Sequence, residues 1–90
     1  MVLVVKRRGY TENFDERKLY ASVYAACASA HYQELQCEKT AGEVSEKITG
    51  SIKHMKTISS LDIRKMVEKE LKIVDKNLPP FYMIHLPDIK

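Results

Sequence analysis

The 90 residues include 15 Lys and Arg against 12 Asp and Glu, which gives a formal net charge of +3, and 44% of them are hydrophobic. These values are ordinary for a soluble globular protein, and they predict a single domain over residues 1–90 with a thin core. No apolar run approaches the ~20 residues of a membrane span, and the N-terminus lacks the order of a signal peptide, so we expect a cytoplasmic protein without membrane contact.

The chain begins with a predicted β-hairpin. Residues 2–7 open with Val-Leu-Val-Val, a short β-branched stretch that predicts a strand. Gly9 follows a basic tip and can supply the positive φ of a tight turn. Residues 10–14 partly alternate and predict the returning strand.

Four helices are predicted after the hairpin. They span about residues 15–31, 37–55, 60–74 and 79–86. Asp15 is a good N-cap for the first, and the apolar stripe of the second ends at Met55. Ser59 and Asp62 resemble a capping box before the third, and two prolines suit the first turn of the fourth. We therefore expect an α+β fold in which a small bundle of three to four helices is capped by an N-terminal hairpin or small sheet.

Metal binding and catalysis find little support in the sequence. Cys27 and Cys37 fall in predicted helices beside apolar residues and are expected to be buried free thiols. Cys27 and His31 stand four apart on one helix, but no CxxC, HxxH or HExxH accompanies them, so no metal held by protein ligands is expected. No glycine-flanked serine or other nucleophile motif is present, and we do not expect an enzyme.

Phosphate binding has a physical basis that needs no glycine-rich loop. With three glycines, the chain has neither a GxxxxGK[ST] nor a GxGxxG motif. Lys6, Arg7 and Lys18 could instead converge on the start of the first helix, where unpaired N–H groups point outward. Ser60 offers a hydroxyl and an N–H at the start of the third. A solvated basic tip and two ordinary helix caps are the alternative, and from the residues alone both interpretations stay open.

The third predicted helix carries charges of both signs. This mixture is typical of a solvated face, whereas a recognition helix more often has an uninterrupted basic side. Nucleic-acid binding by this domain alone is therefore not expected. The charged positions are Arg64, Lys65, Glu68, Lys69, Glu70 and Lys72.

Two blocks of this sequence resemble a known family. Residues 4–19, VVKRRGYTENFDERKL, resemble the start of the ATP-cone domain, V-x-K-R-D-G-x-x-E-x-F-D-x-x-K-[IL]. Residues 58–71, ISSLDIRKMVEKEL, are similar to that family's I-S-[ST]-x-[ED]-I-x-x-x-V-E-x-x-L. The blocks occur in the family's order, and the resemblance covers essentially the whole chain.

The resemblance implies a non-catalytic regulatory domain that binds ATP or dATP as an allosteric ligand, with any Mg²⁺ arriving on the nucleotide. Such domains occur at the N-terminus of ribonucleotide reductases and behind a zinc ribbon in a bacterial repressor of reductase genes. The implied fold is a small helical bundle capped by a β-sheet. The signal would pass through a change of conformation or oligomer to a protein partner or a second copy.

Eight residues match the family's nucleotide-binding positions. The resemblance implies phosphate contacts for Lys6, Arg7 and Lys18, a polar contact to base or sugar for Asp15, and a backbone contact for Val4. The other matches are the acidic residue of the returning strand, the hydroxyl at the start of the third helix and a weaker candidate one turn later: Glu12, Ser60 and Arg64.

The chain also departs from the family pattern. Arg8 stands where the family usually has aspartate, and Pro87 cuts short the C-terminal helix. The sequence contains neither a zinc ribbon nor a reductase barrel, so it is either a free-standing sensor or a piece of a larger protein. Two other functions stay open: the effector domain of a DNA-associated transcriptional regulator, and an interaction module that has lost nucleotide binding.

Overall fold

A computed structural model describes residues 2–84 of the chain, which form a three-stranded sheet and four helices in the predicted α+β arrangement. None of the helices within residues 2–84 is long and apolar enough to cross a membrane. In chain order the elements are β1 (Leu3–Val5), β2 (Thr11–Asn13), α1 (Glu16–Ser29), α2 (Glu34–Ile52), β3 (Thr57–Ser59), α3 (Ser60–Val74) and α4 (Pro79–Ile84).

Strand β1 lies in the middle of the sheet. It pairs antiparallel with β2, placing Val4 opposite Glu12, and parallel with β3, placing Val4 opposite Ile58. The turn between β1 and β2 contains Gly9 at φ +93°, the positive value predicted for it. Because β3 runs directly into α3, the parallel pairing brings the end of β1 and its basic tip beside the start of α3.

The sequence did not predict β3 as a separate strand. It has three residues, Thr-Ile-Ser, and only Ile58 is buried. A strand this short has no alternating pattern to read, and its place in the sheet depends on pairing with β1, more than fifty residues earlier in the chain. The predicted small sheet therefore has one strand more than the hairpin.

Helix α1 ends at Ser29, two residues before the predicted end, because the chain turns into a left-handed residue. His31 has φ +67°. Its N–H donates to Ala28 O at 3.0 Å, and the N–H of Tyr32 donates to Cys27 O at 3.0 Å. These two bonds form a Schellman motif with histidine at the position where glycine is most common.

Replacing His31 with glycine should stabilise the protein by about 0.5–1 kcal/mol, because glycine adopts a positive φ without the steric cost that a side chain brings. His31→Ala, which removes the imidazole but keeps the strained conformation, is the matched control and should give no gain. Urea unfolding of the three proteins measures the difference. Equal stabilisation by alanine would show that the imidazole, not the backbone, limits stability here.

Helix α2 is displaced from its predicted range of 37–55. It begins at Glu34, and Gln33 is its N-cap residue. The Gln33 N–H donates to Gln36 Oε1 at 3.2 Å. Glutamine is not a usual N-cap residue, which is why the sequence suggested a later start. The helix ends at Ile52, and the expectation that Met55 extends its buried stripe is wrong: Met55 is 46% exposed in the loop before β3.

The core lies between the sheet and the helices, with the pairing of α1 and α2 as its largest part. Cys27 and Cys37 are buried free thiols, as predicted. Burial, together with a smaller effect of the neighbouring Cys37, raises the pKa of the Cys27 thiol from about 9 to about 11. The most completely buried large side chains of the described residues are Val23, Ile48, Ile52, Val67, Leu71 and Leu78.

Neither thiol should react with a thiol reagent at pH 8 in the folded protein, because both are buried and the Cys27 thiol stays protonated. The fold favours the neutral form of the Cys27 thiol. The stability that this thiol contributes is therefore complete below pH 9 and is lost as the pH rises through about 11. A thiol assay measures the outcome, and the same assay in denaturant should count both cysteines. Rapid reaction of the folded protein at pH 8 would contradict the burial.

Candidate functional site

A cavity of about 490 Å³ opens between the hairpin tip and the starts of α1 and α3. Its volume lies within the 300–1,000 Å³ typical of small-molecule sites. All eight residues that the family resemblance implied line it, although they come from four separate elements, the β1–β2 turn and the segment before α1. They are Val4, Lys6, Arg7, Glu12, Asp15, Lys18, Ser60 and Arg64.

The cavity holds the whole charge excess of the chain. Five cations line it, against the two carboxylates Glu12 and Asp15, a net charge of +3. Of the 15 cations and 12 acids in the chain, ten of each then remain elsewhere, so the rest of the protein is formally neutral. Such a concentration of one sign attracts an anionic ligand. The five cations are Lys6, Arg7, Arg8, Lys18 and Arg64.

These cations differ in how far the protein neutralises them. Lys6 Nζ lies 3.0 Å from Glu12 Oε1, and the Lys6 side chain is only 15% exposed. The other four make no ion pair within residues 2–84. Lys6 is therefore held in position by Glu12 on β2. The remaining cations lack an internal counter-charge in the part of the chain described here.

Helix α1 starts at the cavity. The Arg17 N–H donates to Asp15 Oδ1 at 2.9 Å, which confirms Asp15 as the N-cap. This backbone hydrogen bond, together with the charge of Arg17, lowers the pKa of Asp15 below its ordinary value, although burial opposes the shift. Asp15 is thus an anion at neutral pH, with one carboxylate oxygen already engaged by the helix.

Helix α3 also starts at the cavity. Its N-cap is Ser59, whose Oγ accepts a hydrogen bond from the Asp62 N–H at 3.0 Å. Ser60 and Arg64, four residues apart on this helix, both line the cavity. The α3 N-terminus therefore brings the positive end of a helix dipole to the same wall as the cations.

The inner wall of the cavity is apolar. Val4 from β1, Leu19 from α1 and Tyr82 from α4 are 5%, 7% and 3% exposed. Phe14 and Ile63 add to this wall. Reasoning from the sequence did not identify Tyr82 as a site residue. Its spacing of four from Leu78, another apolar residue, was the available signal, since this spacing predicts two inward side chains on one helical face.

Helix α4 is held in place by a contact outside the cavity. The Tyr32 hydroxyl donates to Asp75 Oδ2 at 2.7 Å, and Asp75 Oδ1 accepts from the Asn77 N–H at 2.9 Å. The hydrogen bond to the Asn77 N–H lowers the pKa of Asp75, while burial and the carboxylate raise the pKa of Tyr32 to about 12. These bonds fix the turn before α4. The last two residues of the predicted fourth helix, 85 and 86, lie outside the described residues.

A smaller cavity of about 350 Å³ adjoins the first and shares Lys6, Arg7, Ser60 and Arg64 with it. No group of three or more His, Cys, Asp or Glu among residues 2–84 could hold a metal ion. His31 and Cys27, four apart in sequence, differ in environment: His31 is exposed beyond the end of α1 and Cys27 is buried. The chemistry of the site is therefore that of cations, helix N-termini and an apolar wall.

Comparison with known proteins matches residues 2–84 to the ATP cone domain family. The chain is also similar to proteins described as the transcriptional repressor NrdR from two strains of Clostridium kluyveri, ATCC 8527 and NBRC 12016. It is 35% identical to each over 75 residues, which cover 83% of this chain and 48% of each repressor. The chain thus spans about half the length of these relatives.

ATP-cone domains are regulatory nucleotide-binding domains and not enzymes, in agreement with the charge and shape of the cavity described above. The match extends over nearly all of the chain. This protein therefore belongs to the ATP-cone family.

Proposed function

We propose that the larger cavity binds ATP or dATP as an allosteric ligand. The observation that carries the proposal is the meeting of four cations that have no ion pair within residues 2–84 with a buried apolar wall. A nucleotide has the complementary form, with a flat, weakly polar base at one end and a chain of phosphates at the other. The base would lie against the apolar wall and the phosphates among the cations.

The eight residues take distinct roles in this proposal. Lys6, Arg7 and Lys18 bind phosphates, and Lys6 is pre-oriented for this by its 3.0 Å contact with Glu12. Asp15 accepts a hydrogen bond from the base or sugar through the carboxylate oxygen that does not cap α1. The backbone of Val4 contacts the ligand from the central strand. At the α3 start, Ser60 adds a hydroxyl and Arg64 a further charge.

The nucleotide would act by shifting the populations of two packings. The hairpin, α1, α3 and α4 all contribute to the cavity, so one ligand contacts four elements at once. A ligand that binds one arrangement of these elements better than another favours it, and a protein partner or second copy reads the difference. Control of a ribonucleotide reductase, or of its genes, is the output that the family suggests.

A second candidate is the effector half of a DNA-associated transcriptional regulator. The observation that favours it is the description of both relatives as transcriptional repressors, of which this chain matches 48%. In this form the nucleotide still binds here and DNA contacts come from another part of a longer protein. That the domain alone binds no nucleic acid, and that it works in the cytoplasm, stay predictions.

Isothermal titration of the chain with ATP, dATP and GTP, each with excess Mg²⁺, tests the proposal. ATP and dATP should bind with measurable heat and GTP more weakly, since Asp15 and the backbone of Val4 are placed at the proposed base end. An absence of heat and of any change in the thermal unfolding midpoint at millimolar nucleotide would overturn it. A parallel titration with duplex DNA at two salt concentrations tests nucleic-acid binding by the domain alone.

A further inference from the structure

Arg8 lies at the outer end of the cavity on a turn of defined geometry. The Lys6 N–H donates to Tyr10 O at 2.8 Å, and the Gly9 N–H donates to Lys6 O at 2.8 Å. Together with the positive φ of Gly9, these bonds fix the backbone that carries Arg8. The Arg8 side chain is exposed, lines the cavity and makes no ion pair within residues 2–84.

The burial of the cavity residues gives the cavity a direction. Val4, Leu19 and Tyr82, at 5%, 7% and 3% exposed, mark its inner wall, whereas Arg7 and Arg8 on the exposed turn mark its mouth. A ligand with an apolar ring and a charged tail gains most when the ring is buried and the tail points outward. The last charged group of the tail then lies closest to the turn.

We propose that Arg8 makes this site selective for the number of phosphates on its ligand, favouring a triphosphate over a diphosphate or monophosphate. The inference rests on the proposed function of the cavity and adds to it the property that the ligand's tail length is read at the turn. A guanidinium binds a terminal phosphate through two parallel hydrogen bonds, whereas a shorter tail ends before it reaches this position. Arginine is suited to this role because it stays charged and presents a planar pair of donors.

Long-range attraction is the alternative role for Arg8, and it makes a different prediction. An exposed cation at the mouth of a positive cavity raises the affinity for every anion, in proportion to the ligand's charge and with strong dependence on salt. A direct contact with the terminal phosphate instead affects the triphosphate selectively. Comparison of ligands that differ only in tail length therefore separates the two.

The test is isothermal titration of the wild-type chain, Arg8→Ala and Arg8→Lys with ATP, ADP and AMP at two salt concentrations. Arg8→Ala should weaken ATP binding by about tenfold and leave AMP binding within about twofold, while Arg8→Lys should retain part of the preference for ATP. Lys39→Ala, which removes an exposed helical cation lining neither cavity, is the control and should change none of the affinities. Losses graded only with ligand charge and abolished by salt, or no loss for ATP, would overturn the role of Arg8.

Inorganic tripolyphosphate and pyrophosphate separate this inference from the proposed function. A chain that binds no nucleotide but binds tripolyphosphate more tightly than pyrophosphate, with a preference that Arg8→Ala removes, would refute nucleotide binding and keep the role of Arg8. A chain that binds nucleotides with the same phosphate preference with or without Arg8 would refute the role of Arg8 and keep nucleotide binding. A chain that binds none of these ligands would contradict both.

Discussion

Lys18→Ala should weaken ATP binding by about ten- to a hundredfold, which is the loss expected when one charge-assisted contact to a phosphate is removed. Lys18 stands in the first turns of α1, lines the larger cavity and makes no ion pair within residues 2–84. Its removal therefore takes away the proposed phosphate contact without leaving an unpaired partner behind. Isothermal titration gives the affinity.

Lys39→Ala is the matched control, since Lys39 is an exposed helical lysine that lines neither cavity. Lys6→Ala provides a second measurement and should also weaken binding, although it additionally releases Glu12 from its 3.0 Å contact. If the chain is an interaction module that has lost nucleotide binding, titration of ATP into the wild type and into each variant should give no heat. Unchanged affinity in both Lys6→Ala and Lys18→Ala, with a wild-type chain that binds, would place the nucleotide elsewhere.

Ile48→Ala should lower the free energy of unfolding by about 2–5 kcal/mol, because it removes methyl groups from a closely packed core and leaves a cavity. Ile48 is 2% exposed in the C-terminal half of α2, on its buried stripe between Val44 and Ile52. A domain of this size is stable by only about 5–13 kcal/mol, so the variant should be at the edge of unfolding at 37 °C. Urea or thermal unfolding followed by circular dichroism measures the change.

The chain provides a matched control in Ile73, which is 69% exposed on α3. Ile73→Ala is the same substitution, also in a helix, but it removes no buried surface. The stability of this variant should stay within about 0.5 kcal/mol of the wild type. Equal destabilisation by the two substitutions would show that Ile73 is covered in solution, for example by a second copy. A small effect of Ile48→Ala would contradict the packing of α1 against α2.

The sequence predicted the elements that carry their own local signals. Asp15 caps α1 and Ser59 caps α3 as expected, because each side chain bonds a backbone N–H only two or three residues away. Gly9 has the predicted positive φ because glycine, which lacks a Cβ, adopts it without steric cost. Local hydrogen bonds and backbone preferences act within a few residues and can therefore be read from the chain itself.

Features that depend on distant contacts were missed or misplaced. Strand β3 is determined by its pairing with β1, and Met55 is exposed because the chain must leave α2 to reach that strand. Tyr82 enters the cavity wall because α4 folds back onto α1, with the turn before it held by Tyr32 and Asp75. These contacts join residues far apart in the chain, so local patterns do not reveal them: the spacing of Leu78 and Tyr82 indicates two inward side chains but not the cavity that Tyr82 lines.

The cavity residues also divide into features with a local signal and an arrangement that depends on distant contacts. The hairpin and the two helix starts could be recognised separately, as basic, capped and hydroxyl-bearing positions. Their convergence follows from the parallel pairing of β1 with β3. This pairing places Val5, the last residue of β1, beside Ser59, so the basic tip lies next to the start of α3. That pairing turns three ordinary surface features into one wall of a cavity.

Titration of ATP into the ¹⁵N-labelled chain, followed by amide chemical shifts, shows where on the protein the nucleotide binds. We expect the changes to concentrate in residues 4–18, in the first two turns of α3 at Ser60 and Arg64, and at Tyr82, while the amides of exposed residues in α2 stay unchanged. Saturable shifts in that pattern would place the nucleotide in the cavity between the hairpin and the helix starts. No shift at millimolar ATP, or shifts centred on α2, would contradict nucleotide binding in this cavity.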